Sequence, residues 1–173
     1  HLFRPCKLLL DPYAKEIARD VRRDPALTDE AGDSGPFAPL ARVAVDDFDW
    51  RGDHPPLTPW HQTVVYEMHV KGSTRQHPGV PEKLRGTYAG VASPASVAYL
   101  KELGITAVEL LPVHYHVDEA HLAEAGRTNY WGYNTLGYFA PDPRFSSGGP
   151  GGAVAEFKEM VRTLHGAGIE VIG

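Results

Sequence analysis

Residues 63–70 read Thr-Val-Val-Tyr-Glu-Met-His-Val, and residues 105–113 read Ile-Thr-Ala-Val-Glu-Leu-Leu-Pro-Val. The first stretch is rich in β-branched and aromatic residues and stops just before a glycine, so it predicts a strand. The second is apolar on both faces, which is typical of a strand buried in a parallel sheet. Between them, Ser93 and Pro94 favour the start of a helix, and Gly104 favours its end. This order of strand, helix and strand indicates a right-handed βαβ unit.

The C-terminal part of the chain repeats the same pattern. Four apolar residues there share one helical face and predict a second helix. They are Val154, Phe157, Val161 and Leu164. Residues 169–172 (Ile-Glu-Val-Ile) then begin a third strand. Strands that alternate with helices predict the α/β class, with a parallel sheet covered by the helices.

The remaining segments carry weaker patterns. Three apolar residues at four-residue spacing predict a short helix within residues 7–24. They are Tyr13, Ile17 and Val21. The turn-rich residues 25–59 are expected to connect this helix to the sheet, with one short strand at residues 41–45. Residues 114–152 are expected to form a long loop, and loops of such length are usually functional or disordered.

Composition excludes several classes of function. The chain has 173 residues, with 17 Lys and Arg against 22 Asp and Glu, so its net charge is −5. This mild acidity argues against nucleic acid as a partner, because phosphate binding needs clustered basic residues. No apolar run reaches the ~18 residues of a membrane span. A single cysteine, Cys6, excludes an internal disulfide framework, and no signal peptide is visible, so we expect a cytoplasmic protein.

The most distinctive cluster lies in the predicted long loop, where residues 129–139 carry five aromatic rings. Aromatic faces stack on the apolar C–H faces of sugar rings, and nearby amide side chains can bind the hydroxyl groups. The candidate substrate-binding residues are Tyr130, Trp131, Tyr133 and Asn134. The alternative is that the rings anchor a long loop by burying apolar area, and the composition of the loop alone leaves both interpretations open.

Other side chains with chemical potential lack the partners that a site needs. Five of them cluster early in the same loop: His114, His116, Asp118, Glu119 and His121. We expect them to line the loop rather than to bind a metal, because zinc needs three or four convergent ligands and no remote ligand cluster exists. Glu67 and Glu109 lie inside predicted strands without a carboxylate partner nearby in the sequence. Neither a phosphate-binding motif nor a nucleophile elbow is present, so no cofactor is predicted.

Five stretches of the chain carry a family resemblance. They are residues 6–15 (CKLLLDPYAK), 63–72 (TVVYEMHVKG), 107–113 (AVELLPV), 129–142 (NYWGYNTLGYFAPD) and 155–171 (AEFKEMVRTLHGAGIEV). In these stretches the chain resembles the glycogen debranching enzymes and isoamylases of the α-amylase superfamily (glycoside hydrolase family thirteen). The resemblance covers nearly the whole chain, and the fourth stretch is its most specific part.

The resemblance implies a glycoside hydrolase that cleaves α-1,6 branch links of glycogen or branched maltooligosaccharides with retention. It implies the end of a carbohydrate-binding β-sandwich in residues 1–15, a linker in residues 16–59, and the first two and a half βα units of a (β/α)8 TIM barrel in residues 60–173. Tyr133 would stack on the sugar beside the cleaved bond, and Trp131 favours debranching. The catalytic carboxylates of the family lie on later strands, so we expect no catalytic residue here and an inactive N-terminal fragment.

Three alternatives remain open at this point. A trehalose-releasing hydrolase or an α-amylase of the same superfamily shares the patterns of the first two strands. A non-catalytic glucan-binding module would use the aromatic loop without hydrolysis. A truncated product without any function would also fit the sequence. The stretches at residues 8–15 and 129–135 favour debranching over the first alternative.

Overall fold

The computed structural model describes residues 4–45 and 47–173. In chain order, the strands within these residues are β1 (Glu16–Arg19), β2 (Leu40–Arg42), β3 (Val65–Met68), β4 (Ala107–Leu110), β5 (His114–His116), β6 (Thr135–Pro141) and β7 (Glu170–Ile172). The α-helices are α1 (Val70–Arg75), α2 (Tyr88–Val91), α3 (Pro94–Glu102), α4 (Ala120–Glu124) and α5 (Ala153–Gly166). Short 3₁₀ turns occur at Pro25–Leu27, Trp60–Gln62, Glu82–Leu84, Pro143–Phe145 and Pro150–Gly152.

A parallel sheet in the order β3-β4-β7 forms the centre of the fold. In its register Tyr66 lies opposite Val108, which lies opposite Val171. The three strands predicted from the sequence are confirmed, although each is shorter than its apolar run. The mixed α/β class is confirmed as well. Within residues 4–45 and 47–173, no helix combines the length and the apolar character that crossing a membrane requires.

The helix between the first two sheet strands begins and ends as predicted. The Ser93 side chain accepts a hydrogen bond from the Ser96 backbone N–H, and Pro94 occupies the first turn of α3. Gly104 follows the helix with a φ of 73°, a conformation that glycine adopts without strain. Local capping chemistry therefore sets both ends of α3.

The main hydrophobic core lies between the sheet and the helices α2, α3 and α5. Its fully buried members include Val108 from the sheet, Leu100 from α3, and Met160 and Leu164 from α5. Tyr88 is also fully buried, and its hydroxyl donates hydrogen bonds to the Val113 and Asp142 carbonyl oxygens at 3.3 and 3.1 Å. Burial raises the pKa of Tyr88, so this hydroxyl stays protonated and joins the core to the segments after β4 and β6.

The opposite face of the parallel sheet is open. Glu67 and Glu109 lie opposite each other in the register of β3 and β4, and both side chains are exposed. Val65 and Ile172 are exposed on the same sheet. One face of the sheet is therefore covered by helices, whereas the other presents a mixture of carboxylates and apolar side chains.

The long loop predicted for residues 114–152 is wrong in part, because it contains a two-stranded sheet. Strands β5 and β6 pair antiparallel, with Tyr115 opposite Gly137. Tyr115 and Ala140 are fully buried and form a second small core with Ile17. The short three-residue strand β5 gives too little alternation to reveal this pairing in the sequence.

The helix predicted within residues 7–24 is wrong, because this segment contains strand β1, which pairs antiparallel with β2. Ile17 lies in the second core, and the Arg19 guanidinium donates hydrogen bonds to the Gly35 and Ala38 carbonyl oxygens. These tertiary contacts outweigh the four-residue spacing of the apolar side chains. The strand predicted at residues 41–45 is confirmed in part, because β2 begins one residue earlier, at Leu40, and already ends at Arg42.

Candidate functional site

A pocket of about 750 Å³ opens near the carboxyl ends of β3 and β4. We call it the aromatic pocket. Its lining residues come from β3, from the end of β4 and from the segment between β5 and β6: Glu67, Leu111, Glu119, His121, Leu122, Thr128, Asn129, Tyr130, Trp131 and Tyr133. Loops at the carboxyl ends of parallel strands are where α/β folds place their ligands. Three of the four predicted site residues line this pocket, and Asn134 does not.

Tyr130 is fixed against the end of β3. Its ring stacks on His69, with ring centroids 4.1 Å apart and planes inclined by 9°. His69 Nε2 lies 2.6 Å from the Tyr130 carbonyl oxygen, while its Nδ1 accepts hydrogen bonds from the Lys71 and Gly72 backbone N–H groups. These partners assign the proton to Nε2. Burial lowers the pKa of His69, so the neutral ring caps α1 and holds Tyr130 at once.

The other two rings present large surfaces to solvent. Trp131 packs edge-on against Tyr130, with centroids 5.3 Å apart, and remains 57% exposed. Tyr133 is 72% exposed. Exposed aromatic surface contributes little to the stability of the fold, so anchoring of the loop does not account for these two rings. They are available for stacking on a bound ring.

Residues 129–134, which we call the aromatic segment, are held by the side chains of Asn134 and Asn129. The Asn134 amide donates to the Val117 carbonyl oxygen at 3.1 Å. The Asn129 side chain donates to Glu119 Oε1 at 3.0 Å and accepts from the Gly132 N–H at 2.8 Å. Asn134 thus fixes the backbone of the segment through Val117 and does not line the aromatic pocket, whereas Asn129 does.

Gly132 lets the segment turn between its two exposed rings. Its φ is 82°, which side chains rarely adopt. A Cβ at this position would lie 3.1 Å from both the Pro112 carbonyl oxygen and the Pro112 Cβ, and 3.3 Å from a ring carbon of His116. Glycine is therefore required here by backbone conformation and by close packing on the end of β4.

A buried charge network supports the segment from below. Asp142 is fully buried and pairs with His116 Nδ1 and Arg144 at 2.9 Å each. Arg144 also pairs with Asp118, which accepts the Asn129 backbone N–H at 2.7 Å. Ion pairs therefore join Asp142 to Arg144 and Arg144 to Asp118, and the hydrogen bond from the Asn129 N–H to Asp118 connects them to the backbone of the aromatic segment.

The ionisation of this network follows from its geometry. Burial alone would raise the pKa of Asp142, but hydrogen bonds from His116 and Arg144 lower it to about 2. Burial alone would lower the pKa of His116, yet the hydrogen bond to Asp142 outweighs this effect and the net shift is upward. His116 Nε2 lies 3.3 Å from the Asn129 carbonyl oxygen, so both ring nitrogens face acceptors. The arrangement stabilises a doubly protonated His116.

The five polar residues singled out early in the predicted loop have separate roles. His116 and Asp118 belong to the buried network, while Glu119 and His121 line the aromatic pocket. His114 approaches the ring of Tyr138. Across residues 4–45 and 47–173, no three His, Cys, Asp or Glu side chains are grouped as a metal ion requires.

The site residues predicted from the sequence leave out His69, which stacks on Tyr130, and polar pocket residues such as Glu67, Glu119 and Asn129. His69 falls inside the strand predicted for residues 63–70, near its carboxyl end, where ligands collect, and this position is a signal that could have selected it. Glu119 was expected only to line the loop. Its position beside Asn129 depends on the path of the chain between β5 and β6, which no local pattern indicates.

Comparison with known proteins identifies relatives of this chain. The "Glycogen debranching enzyme" of Yersinia enterocolitica is 49% identical over 178 aligned residues, which cover 99% of this chain and 27% of that protein. The chain is homologous to the glycogen debranching enzymes. The resemblance stated from the sequence is thereby confirmed, and the chain spans about a quarter of the length of the curated relatives it matches. No family model matches the chain.

Solved structures agree with this assignment. The catalytic module of the multi-modular glycogen-degrading pneumococcal virulence factor SpuA is 27% identical, with a TM-score of 0.72 over 95% of this chain and 24% of that one. A pullulanase from Bacillus acidopullulyticus is also 27% identical, with a TM-score of 0.67 over 94% of this chain and 20% of its own. This chain therefore shares its fold with parts of these two solved proteins along nearly its whole length.

Proposed function

We propose that this chain is part of a glycoside hydrolase that cleaves α-1,6 branch links of glycogen or branched maltooligosaccharides, with retention at the anomeric carbon. The observation that carries the proposal is the aromatic pocket, with Trp131 and Tyr133 exposed at the carboxyl end of the sheet in a homologue of glycogen debranching enzymes. Within such an enzyme this chain contributes substrate binding. A cytoplasmic location stays a prediction of the sequence.

The chemistry of the pocket suits a glucan. Sugar rings have apolar C–H faces that stack on aromatic faces, and Trp131 and Tyr133 offer such faces to solvent. Asn129, Glu119 and Glu67 place polar groups in the same wall, where hydroxyl groups of a stacked sugar could be bound. Apolar faces with a few convergent polar groups are typical of small-molecule sites.

The fold supports the beginning of a barrel. We propose that residues 60–173 are the first part of a (β/α)8 barrel, that residues 16–59 link it to a preceding module, and that residues 1–15 end a carbohydrate-binding β-sandwich. Residues 1–3 lie outside the described part of the chain. The parallel order β3-β4-β7, with helices on one face and Glu67, Glu109 and Ile172 exposed on the other, is what an opened barrel would present.

We further propose that the chain alone does not turn over substrate. Retaining hydrolysis uses two carboxylates roughly 5 Å apart on either side of the glycosidic bond. The family resemblance assigns neither of them to residues 1–173. The measurement is reducing-sugar release from glycogen and from pullulan by the purified chain, and release above that of a heat-treated sample would contradict this part of the proposal.

Glucan binding is tested with maltotetraose by calorimetric titration. Tyr133→Ala is expected to weaken binding about twofold to twelvefold, because a stacked ring pair contributes about 0.5–1.5 kcal/mol. The free energy of unfolding should change by less than about 0.5 kcal/mol, since Tyr133 is 72% exposed.

Tyr138→Ala is the matched control for this experiment. Tyr138 is 65% exposed on β6 but does not line the aromatic pocket. Its replacement should leave the affinity for maltotetraose unchanged. If Tyr133→Ala binds as tightly as the wild type, or if both variants lose the same amount, the pocket is not the glucan site.

A non-catalytic glucan-binding module is the second candidate, and the exposed rings of Trp131 and Tyr133 favour it equally. Both candidates predict binding by the chain. They differ in the longer protein: a debranching hydrolase releases reducing ends from pullulan, whereas a binding module releases none.

A further inference from the structure

One wall of the aromatic pocket is formed where α4 begins. Glu119, His121 and Leu122 line the pocket there, and we call residues 119–122 the α4 wall. The helix has only five residues, Ala120–Glu124. A helix this short is not held by its own hydrogen bonds, because forming the first turn costs more conformational entropy than one bond returns. The α4 wall therefore depends on contacts with other parts of the chain.

Arg23 provides such a contact from 95–97 residues earlier in the chain. Its guanidinium donates hydrogen bonds to three successive backbone carbonyl oxygens. They belong to Asp118 at 3.2 Å, Glu119 at 2.7 Å and Ala120 at 2.9 Å. The planar guanidinium presents its donors in a rigid fork, so the three carbonyl groups are held in one arrangement. These bonds fix the backbone that leads into the α4 wall.

The backbone on both sides of Arg23 is anchored. The Val21 N–H donates a hydrogen bond at 3.2 Å to the hydroxyl of Tyr115, which is fully buried. On the other side, the Asp24 carboxylate accepts the Ala26 N–H at 2.8 Å and caps a 3₁₀ turn. The guanidinium thus extends from a fixed backbone, and α4 takes its position from that backbone.

Asp118 connects the α4 wall to the aromatic segment. Its carboxylate accepts the Asn129 backbone N–H at 2.7 Å and pairs with Arg144 at 3.0 Å. Its carbonyl oxygen is bound by Arg23. The same residue is therefore held by the aromatic segment through its side chain and by Arg23 through its backbone. This arrangement sets the separation of two walls of the aromatic pocket.

We propose that Arg23 is a positioning residue for the aromatic pocket, which holds the α4 wall at the separation from the aromatic segment that a bound α-glucan requires. Arg23 acts through the backbone of residues 118–120 and not by touching the sugar. The inference rests on the proposed glucan binding. Loss of the guanidinium lowers the fraction of molecules whose α4 wall is in place, and the apparent dissociation constant rises by the inverse of that fraction.

The test is Arg23→Ala in the full chain, with maltotetraose as the probe in a calorimetric titration. If the wall is in place in about one third of the molecules, the affinity falls about threefold, and we expect a loss of at least this size. The urea midpoint should change little, because Arg23 is exposed and the opening of α4 is local.

Amide hydrogen exchange provides a local measurement of the same effect. The N–H groups of Leu122 and Ala123 both donate to the Glu119 carbonyl oxygen. They should exchange faster in Arg23→Ala than in the wild type, whereas amides of the parallel sheet should not change. Saturating maltotetraose should slow the exchange of both groups in the variant, because the bound sugar selects the ordered wall.

Two further variants separate geometry from charge. Arg23→Lys keeps the charge, but its single nitrogen cannot replace the two nitrogens of the guanidinium, so it should recover only part of the affinity. Arg22→Ala is the matched control, because Arg22 is the exposed neighbour and its loss removes the same charge. It should bind maltotetraose like the wild type.

The outcomes distinguish this inference from the proposed function. Wild-type affinity in Arg23→Ala, while Tyr133→Ala binds weakly, would overturn the role of Arg23 alone. An equal loss in Arg22→Ala, or full affinity in Arg23→Lys, would show that charge is responsible and would overturn it too. A parallel fall of affinity and urea midpoint in Arg23→Ala would show a general structural role, with the same consequence. A wild-type chain that binds no maltotetraose would overturn the proposed function together with this inference.

Discussion

Asp142 provides the sharpest test of the buried network beneath the aromatic segment. The carboxylate is fully buried and accepts hydrogen bonds from the backbone N–H groups of His116 and Arg144, at 3.2 and 2.8 Å, as well as from both side chains. These donors lower its pKa from the ordinary 3.8 to about 2, against the effect of burial. The folded protein therefore retains the ionised form to lower pH than the unfolded chain does.

The size of the resulting stabilisation follows from the shift in the pKa of Asp142. The pKa falls from 3.8 to about 2, a difference of nearly two pH units, which corresponds to a stabilisation of about 2 kcal/mol. Because the folded pKa is depressed, this stabilisation is fully present above about pH 4 and is lost as the pH falls through about 2.

Urea unfolding of the wild type and of Asp142→Asn measures this contribution. Near neutral pH we expect the variant to be less stable by about 3–5 kcal/mol, because it leaves the buried charges of His116 and Arg144 without their partner. The difference between the two proteins should shrink by about 2 kcal/mol between about pH 5 and about pH 2. Asp49→Asn, which removes an exposed ion pair with Arg51, should cost less than about 1 kcal/mol. A difference that stays constant over the acidic range would refute the reasoning.

Two further substitutions test packing and hydrogen bonding around the site. Gly132→Ala should lower the free energy of unfolding by about 1–3 kcal/mol, because its φ is 82° and the new Cβ would lie 3.1 Å from the Pro112 carbonyl oxygen. Gly52→Ala, with a φ of 72° and open space around it, should cost only about 1 kcal/mol, and equal losses would contradict the steric argument. Tyr115→Phe removes a buried hydroxyl that donates to Asp20 at 2.6 Å and should cost about 1–2 kcal/mol in the same urea assay. An unchanged midpoint would show that this hydrogen bond does not contribute.

Much of the sheet could be predicted from the sequence, because its signals are local. The β-branched run before His69 and the apolar run of β4 indicate strands through composition alone. Ser93 and Gly104 mark the ends of α3 through capping, which involves neighbours within one turn. The aromatic cluster in the sequence likewise pointed to three residues that line one pocket, Tyr130, Trp131 and Tyr133.

The elements that were mispredicted depend on partners far along the chain. Ile17 lies in a strand because it packs on Tyr115 and Ala140, which are about a hundred residues away, and its local spacing gave the opposite answer. Strand β5 has only three residues, and its identity comes from pairing with β6. Non-local pairing overrides weak local preference whenever it buries apolar area.

The sequence by itself determined the α/β class, the family resemblance and the aromatic residues of the pocket, since each of these depends on residue types at short spacing. Only the tertiary structure decided that His69 holds Tyr130 and that Asn134 bonds to the Val117 carbonyl oxygen instead of lining the pocket. It also decided that Glu119 Oε2 is buried without a hydrogen-bond partner among residues 4–45 and 47–173. Hydrogen-bond partners and burial are properties of neighbours in space. Those neighbours are brought together by the folding of the chain between β5 and β6, and no periodic pattern of residues in the sequence predicts these contacts.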